Sequence, residues 1–195
     1  MLKLHYTTRT LKGGMTIMEH KRNVVVTDYN DEWAQKFEEE AALIRSILQD
    51  EVLEIHHIGS TSVPGMKAKP IIDMMPVVRE IERVDAYDEH FAAIGYEAMG
   101  EFGIQGRRYF RKGSFNRTHH IHIFSKTHQM DIDRHLAVRD YLRAHPQESH
   151  AYGELKAQLA SKFPTDSALY SDGKNDFVQR LEKRAIEWRN STLNP

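Results

Sequence analysis

Residues Ile71 to Val78 read IIDMMPVV and are apolar at every position except Asp73. Successive side chains of a strand point to opposite faces, so a run apolar in both registers belongs inside a sheet, paired on both edges. A carboxylate within such a run is costly to bury unless a cation or a hydrogen-bonding group meets it. Upstream, Val52 to Ile58 reads as a second strand, with Leu53 and Ile55 on one face and Glu54 and His56 on the other. It breaks at Gly59-Ser60-Thr61-Ser62, and Pro64-Gly65, Lys67 and Lys69 lead into the interior strand. Short hydroxyl side chains and unpaired backbone amides at such a bend suit an anion. A Gly-Ser bend followed by a strand-borne acid is an arrangement that holds a phosphate tail beside a divalent metal. The plainer alternative is a tight turn between two core strands, with Asp73 capping neighbouring backbone.

Around this pair the chain alternates between strand and helix signals. Residues 1–22 carry scattered basic side chains and Gly13-Gly14 without a sustained period, as expected of a weakly ordered extension ahead of one domain spanning 23–190. Val24 to Val26 is β-prone. Asn30 stands where a helix cap belongs, and Trp33, Phe37, Ala41, Ile44 and Leu48 then mark one helical face ending near Gln49. A second helix is expected over Glu80 to Ala93, stopped by Gly95. Arg107 to Arg111 and Thr118 to Phe124 predict a hairpin. Beyond Ser125 the pattern is helical. One helix is expected over Asp131 to Ala144. A second opens at Pro146 and buries Tyr152, Leu155, Leu159 and Phe163. The last is striped by Phe177, Leu181, Ala185 and Trp188. These helices predict a layer packed on the sheet.

Composition narrows the function. With 40% hydrophobic and 28% charged residues the chain is ordinary for a folded domain. It has no cysteine, which excludes disulfides and thiolate metal sites and is compatible with the cytoplasm. Its apolar runs are too short to span a bilayer. A net charge of −1 argues against a nucleic-acid protein working by bulk charge, with a local basic patch as the alternative; the Gly-Ser bend makes a phosphate-bearing small molecule the expected partner. The oligomeric state is not legible. Twelve histidines raise the question of a metal. Strand alternation places His120 and His122 on one face, and with Asp73 they form a candidate Asp-His-His set. The alternative is a solvated sheet face. Lys69, Arg107, Arg108 and Lys174 are candidate phosphate-neutralising cations, each with a solvated surface charge as its alternative.

Taken together, the residues are familiar. His57-Ile58-Gly59-Ser60-Thr61-Ser62-Val63-Pro64-Gly65 followed by Ala68-Lys69-Pro70-Ile71-Ile72-Asp73 resembles the signature of the GrpB family, a group within the nucleotidyltransferase superfamily. Tyr29 to Trp33, Gly106 to Phe110, His119 to His122, Arg139 to Arg143, Tyr152-x-x-Leu155-Lys156 and Tyr170-x-x-x-Lys174-x-x-Phe177 extend the likeness over about residues 24–190. The resemblance implies an α/β core: a mixed, largely antiparallel nucleotidyltransferase-like sheet backed by helices. It further implies a nucleoside triphosphate held at Gly59-Ser60, and two magnesium ions held by an acid pair beginning at Asp73 and a third acid on a nearby strand. Here the second acid position is Met75, and the third strand offers His120 and His122. Magnesium favours oxygen ligands, so this set suits one zinc, manganese or iron(II) ion better than a magnesium pair. The expectation is a phosphate-binding, nucleotidyltransferase-like protein that, if an enzyme, carries out metal-dependent nucleotidyl or phosphoryl transfer to a small acceptor. A divalent metal (Mg, Mn or Zn) would sit on Asp73, His120 and His122, Ser60, Thr61 and Ser62 would hold phosphate, and Lys69 or Arg108 would stabilise a transferring group. Two alternatives stand beside it: a non-catalytic nucleotide- or metabolite-binding module, and an Asp-His-His metal-dependent hydrolase.

Overall fold

In the computed structural model, residues 6–10, 16–20, 23–114 and 116–193 are described. The first two segments, β1 (Tyr6–Thr10) and β2 (Thr16–His20), pair antiparallel; the rest of the expected N-terminal extension lies outside the described residues. Helix α1 runs Glu32–Leu48. Asn30 starts it, because its Oδ1 accepts from the Glu32 N–H at 2.9 Å. The buried face of α1 carries Trp33, Phe37, Ala41, Ile44 and Leu48, as the spacing predicts, together with Glu40.

Strands β3 (Val52–Ile58), β4 (Ile72–Val78), β5 (Tyr96–Ala98), β6 (Arg107–Lys112) and β7 (His119–Ser125) form a mixed sheet in the order β3-β4-β7-β6-β5. Only the β4–β7 pairing is parallel. The apolar β4 is thus flanked on both edges, and Asp73 sits in register with Ile58 on one side and His120 on the other. One face of the sheet packs Ile72, Met74, Val78, Ile121 and Ile123 against α1 and Phe91. The other face gathers Ile58, Met75, Val77 and Phe124 beneath Ile132 of α3 (Gln129–Ala144). The sequence therefore yields a mixed α/β sheet backed by helices.

Three local expectations need correction. Val24 to Val26 adds no strand. Val24 donates its N–H to the Pro164 carbonyl, and its side chain packs with Ala160 and Tyr170. Residues expected as one helix from Glu80 to Ala93 split into a 3₁₀ stretch, Ile81–Tyr87, and a short α2, Asp88–Ala93. Ile81 and Val84 are three apart, the repeat of a 3₁₀ turn, and both are buried. Leu53 does not share the face of Ile55, because the β3–β4 register shifts between Val52 and Glu54 and leaves Leu53 exposed.

The C-terminal layer comprises α3, α4 (Pro146–Lys162), α5 (Ser167–Gly173) and α6 (Asn175–Leu193); the short α5 was not expected. A second core of Ala137, Tyr141, Leu142, Tyr152, Leu181 and Ala185 closes over Val63 and Met66, just past the Gly-Ser bend. That contact brings α4 to the site. No described helix is long and apolar enough to cross a membrane.

Candidate functional site

The bend after β3 is one 3₁₀ turn, Ser60–Ser62, entered through Gly59 at φ 68° and ψ −170°. This backbone region is essentially reserved for glycine. The close approach adds a second demand, because a Cβ on Gly59 would lie 2.5 Å from Asp73 Oδ2. The carboxylate of the interior strand therefore faces the bend directly.

Within the bend the hydroxyls divide. Thr61, 1% exposed, donates its Oγ1–H to the Ile71 carbonyl at 3.1 Å and meets His57 Nε2 at 3.0 Å. Ser62 donates to the Gly59 carbonyl at 2.6 Å. Both hydroxyls brace the turn, which departs from the expectation that all three serve phosphate. Ser60 alone of the three lines a cavity of about 230 Å³, together with Lys69, Asp73, His120, Lys156 and Lys174. Tyr152 and Tyr170 supply its aromatic wall.

Lys156 was not anticipated as a site residue. It projects from α4, is 3% exposed, donates to Ser60 Oγ at 2.7 Å and lies 4.5 Å from the centroid of the Tyr152 ring. Burial, then the Lys174 ammonium, push its pKa down to about 7; Asp73 opposes this and Lys69 adds to it. Lys174 connects α5 and α6, and burial lowers its pKa as well, against the pull of Asp73. Lys69 sits 5.0 Å over the Tyr170 ring. Among the described residues lining the cavity, Asp73 is the one acid.

Asp73 accepts from His120 Nδ1 at 3.1 Å, and His122 Nε2 lies 3.8 Å from the same oxygen. Burial would raise the Asp73 pKa, but the two imidazoles outweigh it and hold the carboxyl well below the usual range. His122 goes the other way: burial lowers its pKa against the pull of Asp73, so it is neutral at pH 7. The Arg107 guanidinium lies 3.2 Å from His122 Nδ1 and has only protons to offer, so that nitrogen accepts and the ring proton resides on Nε2.

This tautomer bears on how the site could meet a metal. Metal-bound histidines donate their remote N–H to an acceptor; here the remote nitrogen faces a donor and the near one carries hydrogen. Met75 at the second acid position is fully buried. Among the described residues no group of three His, Cys, Asp or Glu side chains is placed to hold a metal ion. Asp73, His120 and His122 come together, as their register requires, with His120 hydrogen-bonded to the carboxylate and His122 beside it at 3.8 Å.

The hairpin arginines lie elsewhere. Arg107, 5% exposed, donates to the carbonyls of Glu101 and Phe102 at 3.2 and 2.7 Å, fastening the loop before β6 as well as His122. Arg108 forks onto Asp85, with Nη2 to Oδ2 at 2.9 Å. Neither reaches the cavity, contrary to their expected role on phosphate. Arg107→Ala should cost about 3 kcal/mol in urea unfolding, and Arg107→Lys should recover less than half, since an ammonium cannot fork to three acceptors.

Comparison with known proteins fits this architecture. The model of a protein family described as "GrpB protein" matches residues 23–184. The chain belongs to the GrpB family. YqkA of Bacillus subtilis is 46% identical over 191 residues, which are 96% of this chain and 55% of YqkA, so the chain spans about half the length of that relative. The crystal structure of the conserved protein GrpB from Enterococcus faecalis superposes with a TM-score of 0.83 at 48% identity, over 85% of this chain and 99% of that one. A distant likeness runs to the Cid1 poly(U) polymerase: TM-score 0.49, 14% identity, 68% of this chain and 43% of the polymerase. It is too remote to carry anything about function.

Proposed function

We propose that this GrpB chain binds the phosphate end of a small anionic metabolite or nucleotide in the cavity between the Gly-Ser bend and α4. The carrying observation is the convergence of Lys69, Lys156 and Lys174 on one small cavity with Asp73 as its acid. Partly desolvated amines crowded together disfavour one another's charged forms, and an arriving anion offsets that cost. At about 230 Å³ the space is below the roughly 300–1,000 Å³ that encloses a whole ligand, so it takes an anionic end and leaves the remainder outside. Ser60 adds a hydroxyl, and the two tyrosine rings keep water from one side of the cations.

The same residues favour binding over two-metal transfer. Clamping the attacking and leaving oxygens of a phosphoryl group requires several hard oxygen donors. Here the carboxylate is occupied by imidazoles and its expected partner is a thioether. Sodium tripolyphosphate without magnesium should therefore raise the melting temperature in proportion to the logarithm of its concentration once past Kd. Lys174→Ala should cut that affinity at least tenfold. No shift with tripolyphosphate, or with any nucleoside triphosphate with or without Mg²⁺ or Mn²⁺, would sink the reading. Metal-dependent release of pyrophosphate from a nucleoside triphosphate would replace it with nucleotidyl transfer.

A further inference from the structure

Three amines share one pocket, and they are not equivalent. Lys69 leads into β4 from the bend side and Lys174 sits at the junction of α5 and α6, while Lys156 stands on the interior face of α4. Lys156 is the most enclosed: 3% exposed, one side against the Tyr152 ring, its nitrogen on Ser60 Oγ. The charged or titratable groups around it are Asp73 on β4, His120 on β7, Lys69, Lys174, Tyr152 on α4 itself and Tyr170 on α5. The cluster thus holds three amines against one carboxylate, and that carboxylate already accepts from His120. An amine in such a place has a cheap way to lower its energy, which is to release its proton to water.

We propose that the cavity takes up its anion together with a proton, which goes to the Lys156 amine: Lys156 is neutral when the cavity is empty and an ammonium when it is filled. The inference rests on the anion-binding reading above and adds how that site is controlled. Burial and the neighbouring lysines set the empty-state pKa of Lys156 at about 7. An anion against Nζ stabilises the charged form and raises that value, so the proton balance is one H⁺ gained from solvent for each anion bound. Between the two pKa values affinity falls by about tenfold per pH unit as pH rises, the limit for one linked proton. The site is filled more readily as the medium acidifies, with no conformational change required.

Sodium sulfate is the suitable probe, because its charge is constant from pH 6 to 10 and cannot itself supply the pH dependence. Binding is measured by thermal shift and calorimetry at pH 6.5, 7.5, 8.5 and 9.5, with ionic strength held by chloride. The parent chain should show nearly constant affinity below pH 7 and a steep fall above it. In unbuffered solution at pH 8, mixing with sulfate should draw close to one proton per site. Lys156→Arg keeps a permanent cation, so it should bind with flat affinity and no proton uptake. If that variant does not fold, the proton count on the parent chain decides alone. Sulfate binding with pH-independent affinity and no proton uptake overturns the inference and leaves the anion site standing. A slope that survives in a folded Lys156→Arg assigns the proton elsewhere and also overturns it. No binding by sulfate or tripolyphosphate at any pH removes the underlying reading itself.

Discussion

Lys156→Met should make the empty protein more stable and deaf to tripolyphosphate. The native lysine is 3% exposed, and its folded pKa of about 7 stands well below the value near 10.4 of an unfolded lysine. Keeping it charged in the fold at pH 6 therefore carries a penalty on the order of a few kcal/mol, which a methionine of similar length does not incur. The sign follows from proton counting. Between about pH 7 and 10 the unfolded chain binds more protons at this residue than the folded one, so Lys156 makes stability rise with pH across that window. Below pH 7 the penalty is present in full. Urea unfolding at pH 6.5 and 9.5 should show a rise in the parent chain that is largely absent from Lys156→Met, with the variant ahead at the lower pH. A residue retained at a cost to stability is what a binding role predicts. If Lys156→Met is instead destabilised at pH 6.5, the ammonium is well solvated or well paired, and the account of the cavity is wrong.

Lys156 also shows where sequence reading stops. Its helix was legible: Pro146 at the start, and a face through Tyr152, Leu155, Leu159 and Phe163. The buried face is instead Ser149, Tyr152, Gly153, Lys156 and Ala160, turned by about one residue from that stripe. Small side chains decided it. A Cβ on Gly153 would lie 3.3 Å from the Lys67 backbone nitrogen, so α4 approaches the bend through its least bulky positions and carries Lys156 inward with them. The readable signal was the spacing of Ser149, Gly153 and Ala160, and periodicity of large apolar residues cannot register it. A lysine on a helix reads as solvated unless its neighbours reveal otherwise.

Other parts were plain for the converse reason. The stripe from Trp33 to Leu48 and the apolar run of β4 each had to be buried, and no competing arrangement would do so. Asp73 and His120 were readable as neighbours because strand alternation fixes which side chains share a face, and the register sets the two opposite each other. What alternation could not supply was the partner behind His122. Arg107 lies two residues along β6 from Tyr109, which is the register partner of His122, yet it reaches back to that ring and assigns its proton. The orientation of that imidazole depends on a guanidinium whose role is tertiary.

Gly59→Ala should be a strongly destabilising single-methyl change at the site. Two independent costs meet there. The backbone at φ 68° and ψ −170° is a region that alanine enters only at about 1–3 kcal/mol. The new methyl would also stand 2.5 Å from Asp73 Oδ2, and that carboxylate cannot move without lengthening its 3.1 Å contact to His120. A loss of about 3 kcal/mol is expected, a drop on the order of 10 °C in melting temperature for a chain of this size. Gly65→Ala separates the two terms. It too has positive φ, 77°, but nothing lies within 4 Å of its would-be Cβ, so it should show the backbone cost alone, about 1 kcal/mol. The pair also tests function. Displacing Asp73 removes the carboxylate that holds up the Lys156 and Lys174 pKa values, so in whatever Gly59→Ala protein folds the fall in tripolyphosphate affinity with rising pH should begin at a lower pH than in the parent chain. Equal stability of the two alanine variants would mean that the bend and the carboxylate do not press on each other, and the geometry that makes the anion site would lose its foundation.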